Sequence, residues 1–241
     1  MKLMHRALAL IYPDQCVLCT NLVDGPRALC ASCWHSTPFI TGHVCDKCGT
    51  SLIGHGDGSS DLCDDCIASP RPWSQGRAVF GYRDAGRRLV LALKHGDRTD
   101  LVPSAAEWMV RAGADLFHGS PLLVPIPIFW TRLVRRKFNQ AAELANAISR
   151  RCDLDVCLDA LKRARATRIQ DGMSIEARFS NLQNAIHTNP ARASALKGRD
   201  ICLIDDVMTS GATLSVATQA CYDAGATHVS VLVLARVAKA P

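Results

Sequence analysis

Two periods of apolar residues alternate along the last two thirds of the chain. "GRAVFGYRD" (76–84) is strand-like, and "AGRRLVLALKHGD" after it spaces Leu89, Leu93 and their neighbours at helical intervals. "PLLVPIPIFW" is a short apolar strand broken by Pro125 and Pro127, and "NQAAELANAISRRC" is helical. "GRDICLIDDVMTSGATLSVATQACYDAGATHVSVLVLARV" reads as strand, loop, helix and strand, with Gly225 ending the helix. Strands alternating with helices predict an α/β fold on a parallel sheet, which binds ligands at the carboxyl ends of its strands.

The first third has no such periodicity. It holds eight of the chain's twelve cysteines, as four C-x-x-C pairs: Cys16/Cys19, Cys30/Cys33, Cys45/Cys48 and Cys63/Cys66. Two sulfurs so spaced on a tight turn both reach one tetrahedral zinc, so four pairs make two structural Zn²⁺ sites. Consecutive pairing stands ahead of interleaved pairing. A redox pair would occur singly, a disulfide framework needs a secreted context, and ferredoxin spacing is absent. Segments such as "NLVDGPRA" and "GTSLIGHGDGSSD" serve as ribbon loops, and metal supplies the stability that so few apolar residues cannot. His35, His43 and His55 fall outside the cysteine pattern and read as loop histidines. Cys152, Cys157, Cys202 and Cys221, among apolar neighbours, read as core fillers.

The start, "MKLMHRALALIYPDQC", has a short apolar core and no small-x-small cleavage site, which points to an amphipathic helix stopped by Pro13. No apolar run approaches the roughly 20 residues of a membrane span. The expected location is the cytoplasm. The expected domains are a helix over 1–14, a double zinc ribbon over 15–70, and an α/β domain over 71–241, joined at the proline-marked "SPRPWSQ".

Charge separates these parts further. The chain carries a net charge of +6, but residues 1–75 hold 5 Lys/Arg and 7 Asp/Glu, against 23 and 15 in residues 76–241. A polyanionic partner therefore belongs on the second part, although many soluble domains carry such an excess without one. Trp34, Phe39 and Trp73 are available to stack on bases or on the second domain.

The candidate chemistry lies in "ICLIDDVMTSGATL" (201–214). An apolar strand runs into Asp205 and Asp206, and Val207–Thr213 leads into the next helix. Unpaired N–H groups and the helix dipole attract phosphate at such a point. Gly211 permits close approach, while Thr209, Ser210 and Thr213 add hydroxyls. Two carboxylates beside a phosphate call for sugar hydroxyls or a divalent metal, and a ribose phosphate offers both. An ordinary strand-to-helix turn with an Asp cap does not explain two acids followed by this run.

This stretch resembles the phosphoribosyl-pyrophosphate motif of type I phosphoribosyltransferases. The resemblance implies that Asp205 and Asp206 hold the ribose, directly or through Mg²⁺. It implies equally that Val207, Met208, Thr209, Ser210, Gly211, Ala212 and Thr213 form the 5′-phosphate loop. "VPIPIFWTRLVRRKFNQ" puts Arg135, Arg136 and Lys137 where that family binds pyrophosphate, and "KRARATRIQDGMSIEARFSN" supplies a cationic cluster with Thr167, Gln170, Arg178 and Asn181. With the cysteine ribbons in front, the order resembles the ComF family of competence-associated proteins. One departure stands out: Lys137 replaces the glycine of Arg-Gly-Phe-Asn-Gln, and is strained if that position has positive φ. The basic cluster Arg135, Arg136, Arg163, Arg165 and Arg168 reads equally as a solvated face or a ligand surface.

Three functions follow from the resemblance. One is a phosphoribosyltransferase of nucleotide metabolism, in which a nitrogen nucleophile displaces Mg²⁺-pyrophosphate. The second is a binding module for DNA uptake or utilisation, with single-stranded DNA and competence proteins as partners. The third is a sensor of the ribose phosphate in a pocket that has lost turnover.

Overall fold

A computed structural model describes residues 13–56, 61–95, 98–164 and 185–237. The helix expected over 1–14 falls almost wholly outside them, as do Thr167, Gln170, Arg178, Asn181, Arg165 and Arg168. The elements are, in chain order, α1 (Ala31–His35), α2 (Asp64–Ala68), β1 (Gln75–Gly81), α3 (Asp84–His95), α4 (Val102–Ala112), β2 (Leu122–Pro125), α5 (Trp130–Arg136), α6 (Gln140–Cys152), β3 (Leu161–Arg163), β4 (Ile186–Thr188), α7 (Ala193–Leu196), β5 (Asp200–Met208), α8 (Ala212–Asp223) and β6 (His228–Arg236).

Four strands form one sheet in the order β1-β6-β5-β2, every pair parallel. The register sets Leu122–Pro125 against Ile201–Ile204, so β2 ends one residue before the acidic pair, while β5 stays paired with β6 as far as Met208. The carboxylates therefore emerge where one neighbouring strand has run out. Each outer strand is bridged at one point by another segment, which interrupts its free edge. Phe39 bridges Phe80 on the β1 side, and Val156 bridges Leu123 on the β2 side.

Alternation along the strands splits the core into two faces. Cys202, Ile204, Leu232 and Leu234 pack with Leu89, Leu93, Met109, Leu144 and Ile148 of α3, α4 and α6. Ile201, Leu203, Val231 and Val233 pack with Leu214 and Ala217 of α8, and also with Cys45, Cys48, Cys66 and Trp73. The second set of cysteines is thus part of the sheet's own core. Among the other four cysteines, Cys202 and Cys221 are core residues, whereas Cys152 and Cys157 are only partly buried.

The strand, loop, helix and strand at the end of the chain stand as expected, and Gly225 takes the left-handed conformation (φ 89°) just past α8. Asn139 caps α6: its side chain accepts from the Ala141 N–H at 3.1 Å and donates to the Ile126 carbonyl at 3.1 Å, fastening the helix to the end of β2. The short helices α1, α2 and α7, the helix α4 and the antiparallel pair β3–β4 are additional to the expected elements, and α5 takes the place of the loop expected around Arg135 and Arg136.

Candidate functional site

The cysteines pair consecutively. The sulfurs of Cys16, Cys19, Cys30 and Cys33 all lie within 4.8 Å of one another, and so do those of Cys45, Cys48, Cys63 and Cys66. A tetrahedron with zinc–sulfur bonds of 2.3 Å has edges of about 3.8 Å. Cys19 and Cys30 are separated by 3.5 Å and Cys48 and Cys63 by 3.6 Å, so both sets fit zinc without rearrangement. Four crowded sulfurs cannot ionise together without a cation. Hydrogen bonds from Cys48 and Cys66 hold Cys45 far below the usual thiol range, and its bonds with Cys45 and Cys48 push Cys66 far above it. A divalent ion removes that conflict by balancing all four thiolates.

The first set leans on the second domain through its loops: Arg98 donates to the Val17 carbonyl at 3.0 Å and Ser104 to that of Arg27 at 2.8 Å. The second set is wedged against β1. There the Gly76 N–H donates to the Asp46 carbonyl at 2.7 Å, and Lys47 Nζ to the Trp73 and Ser74 carbonyls at 2.8 and 2.9 Å. A Cβ on Gly76 would lie 2.4 Å from the Lys47 carbonyl oxygen, so only glycine permits this approach. The aromatic side chains serve this docking. Phe39 meets Phe80 and Trp108 edge-on at 6.0 and 5.6 Å, and Trp73 is fully buried. His43 pairs with Asp61 at 2.6 Å.

The acidic pair sits inside β5 rather than after it. Val207 and Met208, expected in the loop, continue the strand opposite Ala235 and Arg236, and the Met208 side chain is buried. The loop proper is Thr209–Gly211, and α8 begins at Ala212. By the strand's period of two, the carboxylates face opposite sides of the sheet. Asp206 turns toward α3 and meets Lys94 Nζ at 3.2 Å. Asp205 lies on the side of α8, and its carboxylate accepts from the Asp206 N–H at 2.8 Å.

Burial and the neighbouring charge of Asp206 push the Asp205 carboxyl up to about 7, while the Asp206 N–H, Lys94 and Arg163 pull the other way. Gly211, with φ 82°, turns the chain into α8. Among the described residues the Ser210 and Gly211 N–H groups meet no acceptor, and that of Ala212 has only the Ser210 hydroxyl at 3.4 Å. A pair of open amides thus lies a few residues beyond a carboxyl poised to ionise near neutrality.

Residues 7–75 match the family model of the double zinc ribbon domain. The chain is 28% identical to the DNA utilization protein YhgH of Escherichia coli, over 94% of its own length and 99% of that protein's. It is 26% identical to competence protein F of Haemophilus influenzae, over 92% and 96% of the two chains. It is 28% identical to competence protein ComFC of Bacillus subtilis, over 96% and 88%. The likeness to these three proteins runs over nearly the whole chain. Its ribbon is the double zinc ribbon that the cysteine spacing predicts. A solved structure, TT1426 from Thermus thermophilus, aligns over 57% of the chain and 84% of its own, at 14% identity and a TM-score of 0.35. Among the described residues no helix is long and apolar enough to cross a membrane.

The strain foreseen for Lys137 at positive φ is present. Lys137 ends α5 in the left-handed conformation, φ 65° and ψ −18°, with its N–H donating to the Leu133 carbonyl at 2.7 Å. A side chain there costs roughly 1 kcal/mol. Lys137→Gly is therefore expected to raise stability by about that amount in urea unfolding. The side chains of Arg135 and Arg136 lie outside the described set.

Asp205 makes a separate prediction. The fold keeps its carboxyl protonated up to about pH 7, whereas the unfolded chain ionises it near 4, so its contribution is fully present below pH 4 and lost as pH rises through 7. Asp205→Asn is expected to flatten that decline and to gain about 2–4 kcal/mol above pH 7. Urea midpoints at pH 5 and pH 8 read the difference, and equal slopes in both proteins would refute the assignment.

Proposed function

We propose that the Thr209–Gly211 loop and the acidic pair, at the carboxyl ends of β2 and β5, bind phosphoribosyl pyrophosphate, as a type I phosphoribosyltransferase domain does, and that the chain serves DNA uptake or utilisation. The observation that carries the first part is the row of open amides at Ser210 and Gly211 beside the acidic pair. Amides at a helix amino terminus suit a phosphate, and carboxylates in reach suit hydroxyls but not a second anion. Thr209 and Thr213 flank the same turn. Mg²⁺ would be held between the ligand and the acidic pair and would neutralise the phosphates. Lys94 balances Asp206 until ribose hydroxyls or the cation take its place.

In an enzyme, a nitrogen nucleophile would attack the anomeric carbon as the bond to pyrophosphate breaks, and the pyrophosphate would leave with both electrons. Arg135, Arg136 and Lys137 would stabilise the charge that develops on it. Titration calorimetry with phosphoribosyl pyrophosphate tests the binding: one saturable site per chain is expected with Mg²⁺, and no heat in its presence would refute the reading. Pyrophosphate release with any base in a panel would make the protein a transferase. Binding without release on every base would make it a binding module or a sensor.

The second part follows the names of the three relatives above, all of which refer to DNA utilisation or competence. One surface favours contact with a single strand. On α5, Trp130 is 65% exposed and lies 5.8 Å from Phe129, with Leu133 and Val134 also open, in a segment rich in Arg and Lys. Aromatic faces beside positive charge suit stacked bases and a phosphate backbone. Oligonucleotide affinity that falls steeply with salt and drops on Trp130→Ala is expected. Affinity independent of salt would exclude this surface.

A further inference from the structure

We infer that Arg71 and Arg236 are positioning residues that hold the Thr209–Gly211 loop open toward its ligand by anchoring its carbonyls to the second zinc knuckle. This rests on the phosphate reading of the loop given above.

The two arginines come from opposite ends of the fold and converge on consecutive peptide groups. Arg236, at the end of β6 and 2% exposed, donates to the Thr209 carbonyl at 2.6 Å. Arg71, in the segment between ribbon and sheet, donates to the Ser210 carbonyl at 2.5 Å. In a planar trans peptide the N–H points opposite to the C=O. Drawing the Thr209 oxygen toward Arg236 therefore turns the Ser210 N–H the other way, and drawing the Ser210 oxygen toward Arg71 does the same for Gly211. These are the two amides that meet no acceptor among the described residues. Guanidinium groups suit this task because they stay charged and donate in several fixed directions at once.

Both guanidinium groups are also fastened to the second cysteine set. Arg71 favours the ionised Cys66 sulfur, one of the second set, and its guanidinium lies 5.8 Å from the Trp73 ring centre. Trp73 in turn donates to the carbonyl of Lys47, between Cys45 and Cys48, at 2.5 Å. Arg236 approaches Asp65, between Cys63 and Cys66, at 3.9 Å. The loop is fitted to these groups as well: a Cβ on Gly211 would lie 2.9 Å from Arg71 Nη1 and 3.0 Å from the Trp73 ring. Zinc at the second knuckle thus bears on ligand affinity through Trp73 and Asp65, which link the knuckle to the two arginines on the loop, whereas the first knuckle docks on α4 and the segment before it.

The test uses the full chain with two zincs and three variants. Arg71→Met is expected to weaken Mg²⁺–phosphoribosyl pyrophosphate binding at least tenfold in calorimetry, with two zincs per chain retained. Arg71→Lys, the milder change, is expected to recover part of the affinity. In ¹⁵N spectra of the free proteins, Arg71→Met and Cys66→Ser are both expected to move the Ser210 and Gly211 amide resonances, and Cys66→Ser to leave that of Leu18 in place. Wild-type affinity in Arg71→Met with unmoved Ser210 and Gly211 amides would overturn the inference. Should the wild type bind no phosphoribosyl pyrophosphate, the ligand reading falls while the amide resonances still decide the positioning role. If Arg71→Met does not fold, Arg71→Lys carries both readouts.

Discussion

Stripping the zinc with a strong chelator is expected to abolish the cooperative thermal transition of the whole chain, not of the ribbon alone. Structural zinc contributes apparent free energies of about 10–16 kcal/mol in small domains, comparable to the entire stability of an ordinary fold. The two sites should differ in what they take with them. Cys16, Cys19, Cys30 and Cys33 dock through loop carbonyls that accept from Arg98 and Ser104. Cys45, Cys48 and Cys66 are packed in one core cluster with Leu203, Val231 and Leu214. Cys48→Ser should therefore lower the melting temperature of the sheet, while Cys19→Ser should leave most of it standing. Metal analysis of the wild type should find two zincs per chain and of each variant one. One zinc or none in the wild type would refute the pairing seen in the sulfur geometry.

The second large effect is expected from Asp205→Asn/Asp206→Asn, which should weaken binding of phosphoribosyl pyrophosphate with Mg²⁺ by about 100-fold or more, close to 3 kcal/mol at 1.4 kcal/mol per tenfold. Folding offers an internal control. Asp205 is held protonated by burial, so its replacement relieves the fold at neutral pH, whereas Asp206→Asn leaves Lys94 without its carboxylate. The single variants should therefore move stability in opposite directions while both lower affinity. Loss of affinity only in step with loss of stability would mean that the acids support the fold rather than the ligand.

Periodicity made the end of the chain legible. The apolar run of β5, the small residues of α8 and Gly225 each reported a backbone state that the fold requires. The cysteine pairs were equally plain, because zinc geometry demands two ligands on one tight turn. The strain at Lys137, expected only if the position took positive φ, is present, because the chain leaves α5 there in the left-handed conformation. The extent of β5 was less legible: Val207 and Met208 fit a loop or a strand, and pairing with β6, a long-range contact, decides for the strand.

Long-range placement hid the rest. "SPRPWSQ" looks like a loose joint, yet Trp73 within it is fully buried and Arg71 reaches the loop 139 residues further on. An arginine between two prolines, with a tryptophan directly after them, was the available signal. The ion pair of Lys94 with Asp206 depends on α3 packing over β1 and β6 and has no local trace. For α4 a local signal does exist, in the helical spacing of the buried Val102, Ala105, Ala106 and Met109.

The most direct measurement is a crystal structure of the full chain soaked with Mg²⁺ and phosphoribosyl pyrophosphate. The 5′-phosphate should appear within hydrogen-bonding reach of the Ser210 and Gly211 amides, with the ribose hydroxyls beside Asp205 and Asp206 and Lys94 displaced from the carboxylate. Ligand bound elsewhere, or a crevice at saturating ligand still closed by Lys94 on Asp206, would contradict it.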